Sequence, residues 1–168
     1  MAKYLTNNAG TLTEVAGTAT SAGAADAGKI PQLDGAGRFD NSLMPVGIGA
    51  DTQQITASEA LAAGDLVNIW SNAGAFAVRK ADASTSGKRA HGFVLSTVAN
   101  GAVATVYFEG TDTGQTSVPP GELFLSAVTP GKVAAAAPSG SGQTVQRVGF
   151  GVSATAFNFQ AGEPIVLA

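Results

Sequence analysis

Residues able to do chemistry are few and isolated. The chain has one histidine, His91, which stands before Gly92 at the start of an apolar run. A general base needs a nucleophile and an orienting carboxylate beside it, and no local motif of the Gly-x-Ser-x-Gly kind supplies them. Zinc recruits three or four nitrogen, sulfur or carboxylate ligands, and here there is no second imidazole and no cysteine. His91 therefore reads as a structural or surface histidine. The segment Asp34-Gly-Ala-Gly-Arg-Phe-Asp40 spaces two carboxylates around glycines, but a calcium loop needs oxygen ligands at the alternate positions between, where Ala36 and Arg38 stand. Turn chemistry accounts for it better, with Asp34 making an Asx-type bond and Gly35 or Gly37 taking positive φ. Gly28-Lys29 and Gly87-Lys88 lack the spacing of a phosphate-binding loop. These residues predict no catalytic centre, no cofactor and no metal site. Two basic pairs, Arg79-Lys80 and Lys88-Arg89, sit at predicted strand ends, where charge protects an edge or meets an acidic partner surface. Trp70 ends an apolar strand beside Ser71-Asn72, as an interface or core aromatic or as a sugar-stacking platform.

Composition narrows the class further. Gly, Ala, Ser and Thr make up nearly half of the 168 residues, and charged residues reach 12% against roughly 25% in ordinary globular domains. The formal net charge is -3, with nine basic residues scattered in ones and twos. That excludes the basic stripe with which proteins track nucleic-acid phosphates. Hydrophobic content of 45% supplies enough apolar surface for a folded core. The start, Met1-Ala-Lys-Tyr-Leu-Thr-Asn-Asn8, lacks the apolar stretch of a secretory signal. The uncharged run from Ala90 to Phe108 nears membrane-spanning length, but Asn100-Gly101 interrupts it. No membrane partner is expected.

The elements that would position any site fall into two parts. Residues 1–50 show few aromatics and no sustained helical or strand period, which reads as an arm. Its second half sets single apolar anchors between turn residues: Ile30, Leu33, Phe39, Leu43 and Met44, with Lys29, Arg38 and Pro45 among them. Such a strap gains burial only on another surface: its own downstream domain, a sister subunit or a different protein. Residues 51–168 change to short alternating runs with turn signals every 8 to 12 residues, the pattern of an all-β sandwich or small barrel. The predicted fold is all-β, a compact β-sandwich or small β-barrel preceded by an extended, largely irregular N-terminal arm. Helix is predicted only as one or two turns over Ala57–Ala63. Asn100-Gly101 predicts a two-residue type I′ hairpin that sets Leu95 opposite Val106 and Phe93 opposite Phe108 on one buried face. The other face, carrying Val94, Val98, Val103 and Tyr107, is then too apolar to stay wet and predicts an oligomer interface, most simply of a trimer.

Two stretches carry a resemblance. The strap Ala25-Asp-Ala-Gly-Lys-Ile-Pro-Gln-Leu-Asp-Gly-Ala-Gly-Arg-Phe-Asp-Asn-Ser-Leu-Met-Pro-Val-Gly-Ile-Gly49 is similar to the Gly-Lys, Leu-Asp, Gly-Arg/Lys, Leu-x-Pro pattern of phage virion proteins. The run Ala57-Ser-Glu-Ala-Leu-Ala-Ala-Gly-Asp-Leu-Val-Asn-Ile, continuing through Gly92-Phe-Val-Leu and Gly101-Ala-Val-Ala-Thr-Val, resembles the compact β domain of the same proteins. The family is the capsid decoration, or cement, proteins of tailed bacteriophages. That resemblance implies a structural virion protein and no enzyme. It implies a protein on the capsid exterior, in the host cytoplasm during assembly, whose partners are the major capsid protein and further copies of itself. It would bind the expanded shell and clamp neighbouring capsid subunits, stabilising that form by mass action. The alternative is a tail-fibre or head-fibre module that binds host surface glycans through Trp70, Tyr107 and polar loop residues.

Overall fold

The computed structural model describes residues 3–45 and 49–168, so Val46, Gly47 and Ile48 at the end of the strap lie outside the described residues. The chain divides into two compact units, Met1–Gly49 and Ala50–Ala168.

The first unit opens with a hairpin of β1 (Lys3–Asn8) and β2 (Thr11–Ala16), in register from Lys3 opposite Ala16 to Asn8 opposite Thr11. The hairpin is the regular part of an arm expected to be largely irregular. Both faces of the hairpin are largely wet, so its sequence has no apolar alternation to read. The loop is Ala9-Gly10, with φ of 51° and 91°, the doubly left-handed pattern of a type I′ turn. Asn7 Oδ1 accepts the Gly10 N–H at 2.8 Å and fastens it. Beyond the hairpin the described residues of this unit are irregular apart from two short 3₁₀ turns, Gly23–Asp26 and Asn41–Leu43, and a parallel bridge of Thr18 with Pro31.

The second unit is all-β. Strands β3 (Thr52–Ala57), β4 (Leu66–Asn72), β5 (Ala75–Lys80), β6 (Gly92–Phe93) and β7 (Val103–Tyr107) close a small barrel in the order β3-β5-β4-β6-β7. Every pairing is antiparallel except β3 with β5, which is parallel and two residue pairs long. Then follow β8 (Gly110–Asp112), β9 (Gly121–Leu125), β10 (Val133–Ala134), β11 (Thr144–Val145), β12 (Arg147–Ser153), β13 (Ala156–Phe159) and β14 (Ile165–Val166). Five of them form a sheet ordered β10-β9-β12-β13-β8, and β11 pairs with β14.

Strand alternation builds two cores. Inward residues of the barrel, among them Val67, Val78, Ala104 and Val106, enclose one cluster with Leu61, Val94 and Val98. Outward residues Leu66 and Phe93 join Leu123, Leu125, Val148, Phe157 and Phe159 in a second cluster between barrel and sheet. Phe93 anchors it, with its ring 5.4 Å from Tyr107 and 5.6 Å from Phe159. Two buried polar side chains brace the assembly. Asp65 accepts the Ala62 N–H at 2.8 Å and pairs with Lys132 at 2.8 Å. Gln146 accepts the Ala90 N–H at 2.7 Å and donates to the Ala90 and Gly162 carbonyls at 2.9 and 3.2 Å. Its amide thus pairs with the Ala90 backbone as a strand would. Gln146→Ala should lower unfolding free energy by about 2 kcal/mol in urea titrations, because buried backbone groups lose their partners.

The hairpin around Asn100-Gly101 does not form as expected. The Ala102 N–H does bond to the Ala99 carbonyl at 3.1 Å, but only Gly101 has positive φ, 83°, as in a type II turn. Type I′ needs positive φ at both loop residues. The flanks therefore diverge: Val98 bridges to Leu61 through N–H···O bonds of 2.9 Å in each direction, while β7 runs beside β3. Phe93 faces Tyr107, not Phe108, and Leu95 is exposed. The expected helical turn over Ala57–Ala63 is likewise absent, since Leu61 is spent on that bridge. In β12 the glycines act as the sequence suggests, in bulges and close approaches. Gly149 has φ 140°, and a Cβ there would collide with the Asn158 carbonyl.

Candidate functional site

Arm residues 17–45, which include the described part of the strap, are held by polar contacts rather than by a core. Thr18 N–H donates to the Ile30 carbonyl and Gln32 N–H to the Thr18 carbonyl, both at 2.9 Å. Asp26 accepts the Ala22 N–H at 2.6 Å and pairs with Lys29 at 2.6 Å. The Ala22 N–H, with Lys29 beside it, lowers the Asp26 pKa, and the bond to Asp26 raises that of Lys29. Asp34 closes the next loop, its Oδ1 accepting the Ala36 and Arg38 N–H groups at 2.8 and 2.9 Å, while Gly37 takes φ 75°. That is the Asx turn expected from the sequence. Asp40 caps the last 3₁₀ turn by accepting the Ser42 N–H at 2.9 Å, and the Ser42 hydroxyl first, then this N–H, lower its pKa.

The apolar anchors face outward. Ile30 and Leu33 are 52% exposed, Phe39 51% and Met44 37%, and on the hairpin Leu5 and Leu12 reach 70% and 68%. Leu43 is half-buried, while Lys29, Arg38 and Pro45 are exposed. No described residue of the first unit is buried. Sequence reading missed Leu5 and Leu12, whose outward placement follows only once the Ala9-Gly10 turn pairs β1 with β2.

The four residues expected at an oligomer interface do not share a face. Val94 and Val98 are 1% and 8% exposed inside the barrel, Tyr107 stacks on Phe93, and only Val103 stands open. The expectation fails because it rests on the hairpin register that the type II turn forbids. A different apolar feature lies at the barrel mouth, where Ile55, Ile69, Phe76 and Phe108 line a cavity of about 560 Å³. The like parity of Phe76 and Val78 on β5 is the sequence signal for it.

His91 binds the backbone of β4. Its Nδ1 accepts the Ile69 N–H at 2.9 Å, extending the β4–β6 pairing beyond Gly92. The Arg89 Nε lies 2.9 Å from Nε2, and a neutral ring can accept at only one nitrogen. Burial, then the Arg89 charge, lowers the His91 pKa. His91 lines a shallow cleft with Arg89 and Gln146, and the carboxylate on it is Glu163. In the unfolded chain His91 takes up its proton near pH 6.5, while the folded chain resists protonation until lower pH. Stability should therefore fall as pH drops from about 7 to 5. His91→Gln should flatten that slope in urea titrations across the range.

Trp70 is half-buried, its Nε1 donates to Ser58 Oγ at 3.0 Å, and the Arg79 guanidinium covers its ring at 4.5 Å. Among the described residues no group of three or more His, Cys, Asp or Glu is placed to hold a metal ion, and no helix is long and apolar enough to cross a membrane. Comparison with protein families, with curated proteins and with solved structures finds no match for this chain.

Proposed function

We propose that this chain is a structural virion protein of a tailed bacteriophage. Its N-terminal arm attaches it to the outer surface of the expanded capsid, and it holds neighbouring major capsid subunits together there. One observation carries the reading: the first unit displays six large apolar side chains and buries no described residue. A segment of that kind gains its stabilising burial on a surface outside itself. The resemblance of the strap to phage virion proteins supplies the class of partner, and the polar clasps at Asp26, Asp34 and Asp40 preset its turns so that less ordering entropy is lost on docking.

Binding to the expanded but not the unexpanded shell stabilises the expanded form. Purified protein should therefore co-sediment with expanded shells of the cognate phage and not with unexpanded ones. Equal binding to both, or to neither, overturns the proposal. The homo-oligomer of this reading needs a surface other than the Val94, Val98, Val103 and Tyr107 set. A glycan-binding fibre module would rest on Trp70 and Tyr107, and both rings are engaged within the molecule.

A further inference from the structure

Arg79-Lys80 and Lys88-Arg89 are separate pairs in the sequence, but the fold gathers three of these cations. At the end of β5, Arg79 and Lys80 line a cleft of about 280 Å³, and the loop after β5 returns Lys88 to it. Arg79 is fixed in direction. Its guanidinium lies 4.5 Å over the Trp70 ring, Nε donates to Asn68 Oδ1 at 3.0 Å, and Nη2 donates to the Gly87 carbonyl at 3.3 Å. Asn68 is itself 2% exposed and pinned by donating to the Arg89 carbonyl at 2.9 Å. Every acceptor on Arg79 is neutral, so its orientation is settled while its charge is not. Among the described residues no carboxylate pairs with it.

The other two cations are loosely held. Lys88 stands 3.8 Å from Asp82 and Lys80 3.7 Å from Asp65, whose near partner is Lys132 at 2.8 Å. The cleft's own carboxylates are engaged by backbone: Glu59 accepts the Lys80 N–H at 2.6 Å and Asp82 the Ser84 N–H at 2.8 Å. Three cations against two carboxylates give this cleft one net positive charge in a chain of net charge -3, and Arg79 is the cation without an acidic partner among the described residues.

We propose that this cleft docks an acidic segment of a partner protein, with a carboxylate taking the free edge of the Arg79 guanidinium and a second acidic group meeting Lys88. A planar guanidinium held at a fixed angle suits the two-point recognition of a carboxylate. Nucleic acid fits less well. The Trp70 face that would stack a base is already covered by Arg79, and cations interrupted by Glu59 and Asp82 form no stripe for a phosphate backbone. The site lies in the second unit, so this contact is independent of the arm.

Trp70 is the single tryptophan of the chain, and its emission reports directly on the Arg79 stack. The full-length protein is titrated with an oligoglutamate peptide and, separately, with a single-stranded oligonucleotide. The peptide should give a saturable change in Trp70 emission that weakens with added salt. Lys88→Gln, a change at a partly exposed side chain, and Arg79→Gln should each weaken binding by about tenfold or more. Arg79→Lys should not restore it, because an ammonium lacks the fork. Three results overturn the proposal: no saturable response to the peptide, unchanged affinity in Lys88→Gln, or tighter binding of the oligonucleotide than of the peptide.

Discussion

Removing residues 1–49 should leave the second unit folded and abolish attachment to expanded capsids. The second unit, Ala50–Ala168, contains both apolar clusters and every buried residue among those described, so its thermal midpoint should barely move. The arm, in contrast, has only its anchors to offer. Burying one fully gains ~1.5–3 kcal/mol, while ordering each backbone residue costs ~1–2 kcal/mol. With several residues for each anchor, only some of them preset by the turns at Asp26, Asp34 and Asp40, burial alone does not hold the strap. On the proposed reading the remainder would come from backbone hydrogen bonds to strands of sister copies or of the shell. Co-sedimentation of the truncated and full-length proteins with expanded shells checks this. Unchanged attachment of the truncated form would reduce the arm to a passive tether.

The second large effect concerns Phe93. Phe93→Ala should cost about 3–5 kcal/mol in denaturant titrations, the range for emptying an aromatic core site. Phe93 is 1% exposed and meets two aromatic rings in the cluster between barrel and sheet. Leu95→Ala should cost under about 1 kcal/mol, because that side chain is 36% exposed. A type I′ hairpin at Asn100-Gly101 would bury both, so the pair of variants decides the register. Equal large losses would restore that hairpin and remove the Leu61–Val98 bridge.

The same turn shows where sequence reading stopped. Asn-Gly is the strongest short hairpin signal, yet here Asn100 keeps negative φ and the flanking chains part. Meanwhile two real two-residue hairpin loops, Ala9-Gly10 and Ala73-Gly74, place alanine at φ 51°, where a Cβ is disfavoured. Each follows an asparagine, Asn8 and Asn72. At Asn72 the Asn-Ala-Gly run lies between two apolar stretches, and β4 and β5 flank it there. At Asn8 the hairpin was missed, because with both faces in water no apolar period marks its strands. The all-β class and the location of β4, β5 and β12 were legible because alternation and glycine punctuation are local. Closure of the barrel and the pairing of β9 with β12 were not, since they join segments far apart in the chain.

The candidate site was legible in the same uneven way. Single apolar residues between glycines, prolines and acidic turn-formers marked the strap, because Asp34 and Gly37 specify their turn within five residues. The cationic cleft was invisible as a unit. Its members lie on β5 and on a returning loop, and only the barrel brings Arg79 and Lys88 to one wall.

The narrow seam between β3 and β5 has a mechanical consequence. Chain leaving the arm at Gly49 enters β3 at Thr52, so any tug on an anchored arm is delivered first to that strand. On one side β3 is joined to β5 by two residue pairs, Thr56 with Ala77 and Ala57 with Val78; on the other, five antiparallel pairs tie it to β7. A load across the strand peels the β7 pairs one after another from Thr52, whereas a load along it strains all five together. Rupture under force follows the unfolding rate rather than equilibrium stability. If the arm is anchored as proposed, the angle at which it leaves its anchor would set how long a tethered molecule survives agitation, even where two such molecules melt at the same temperature.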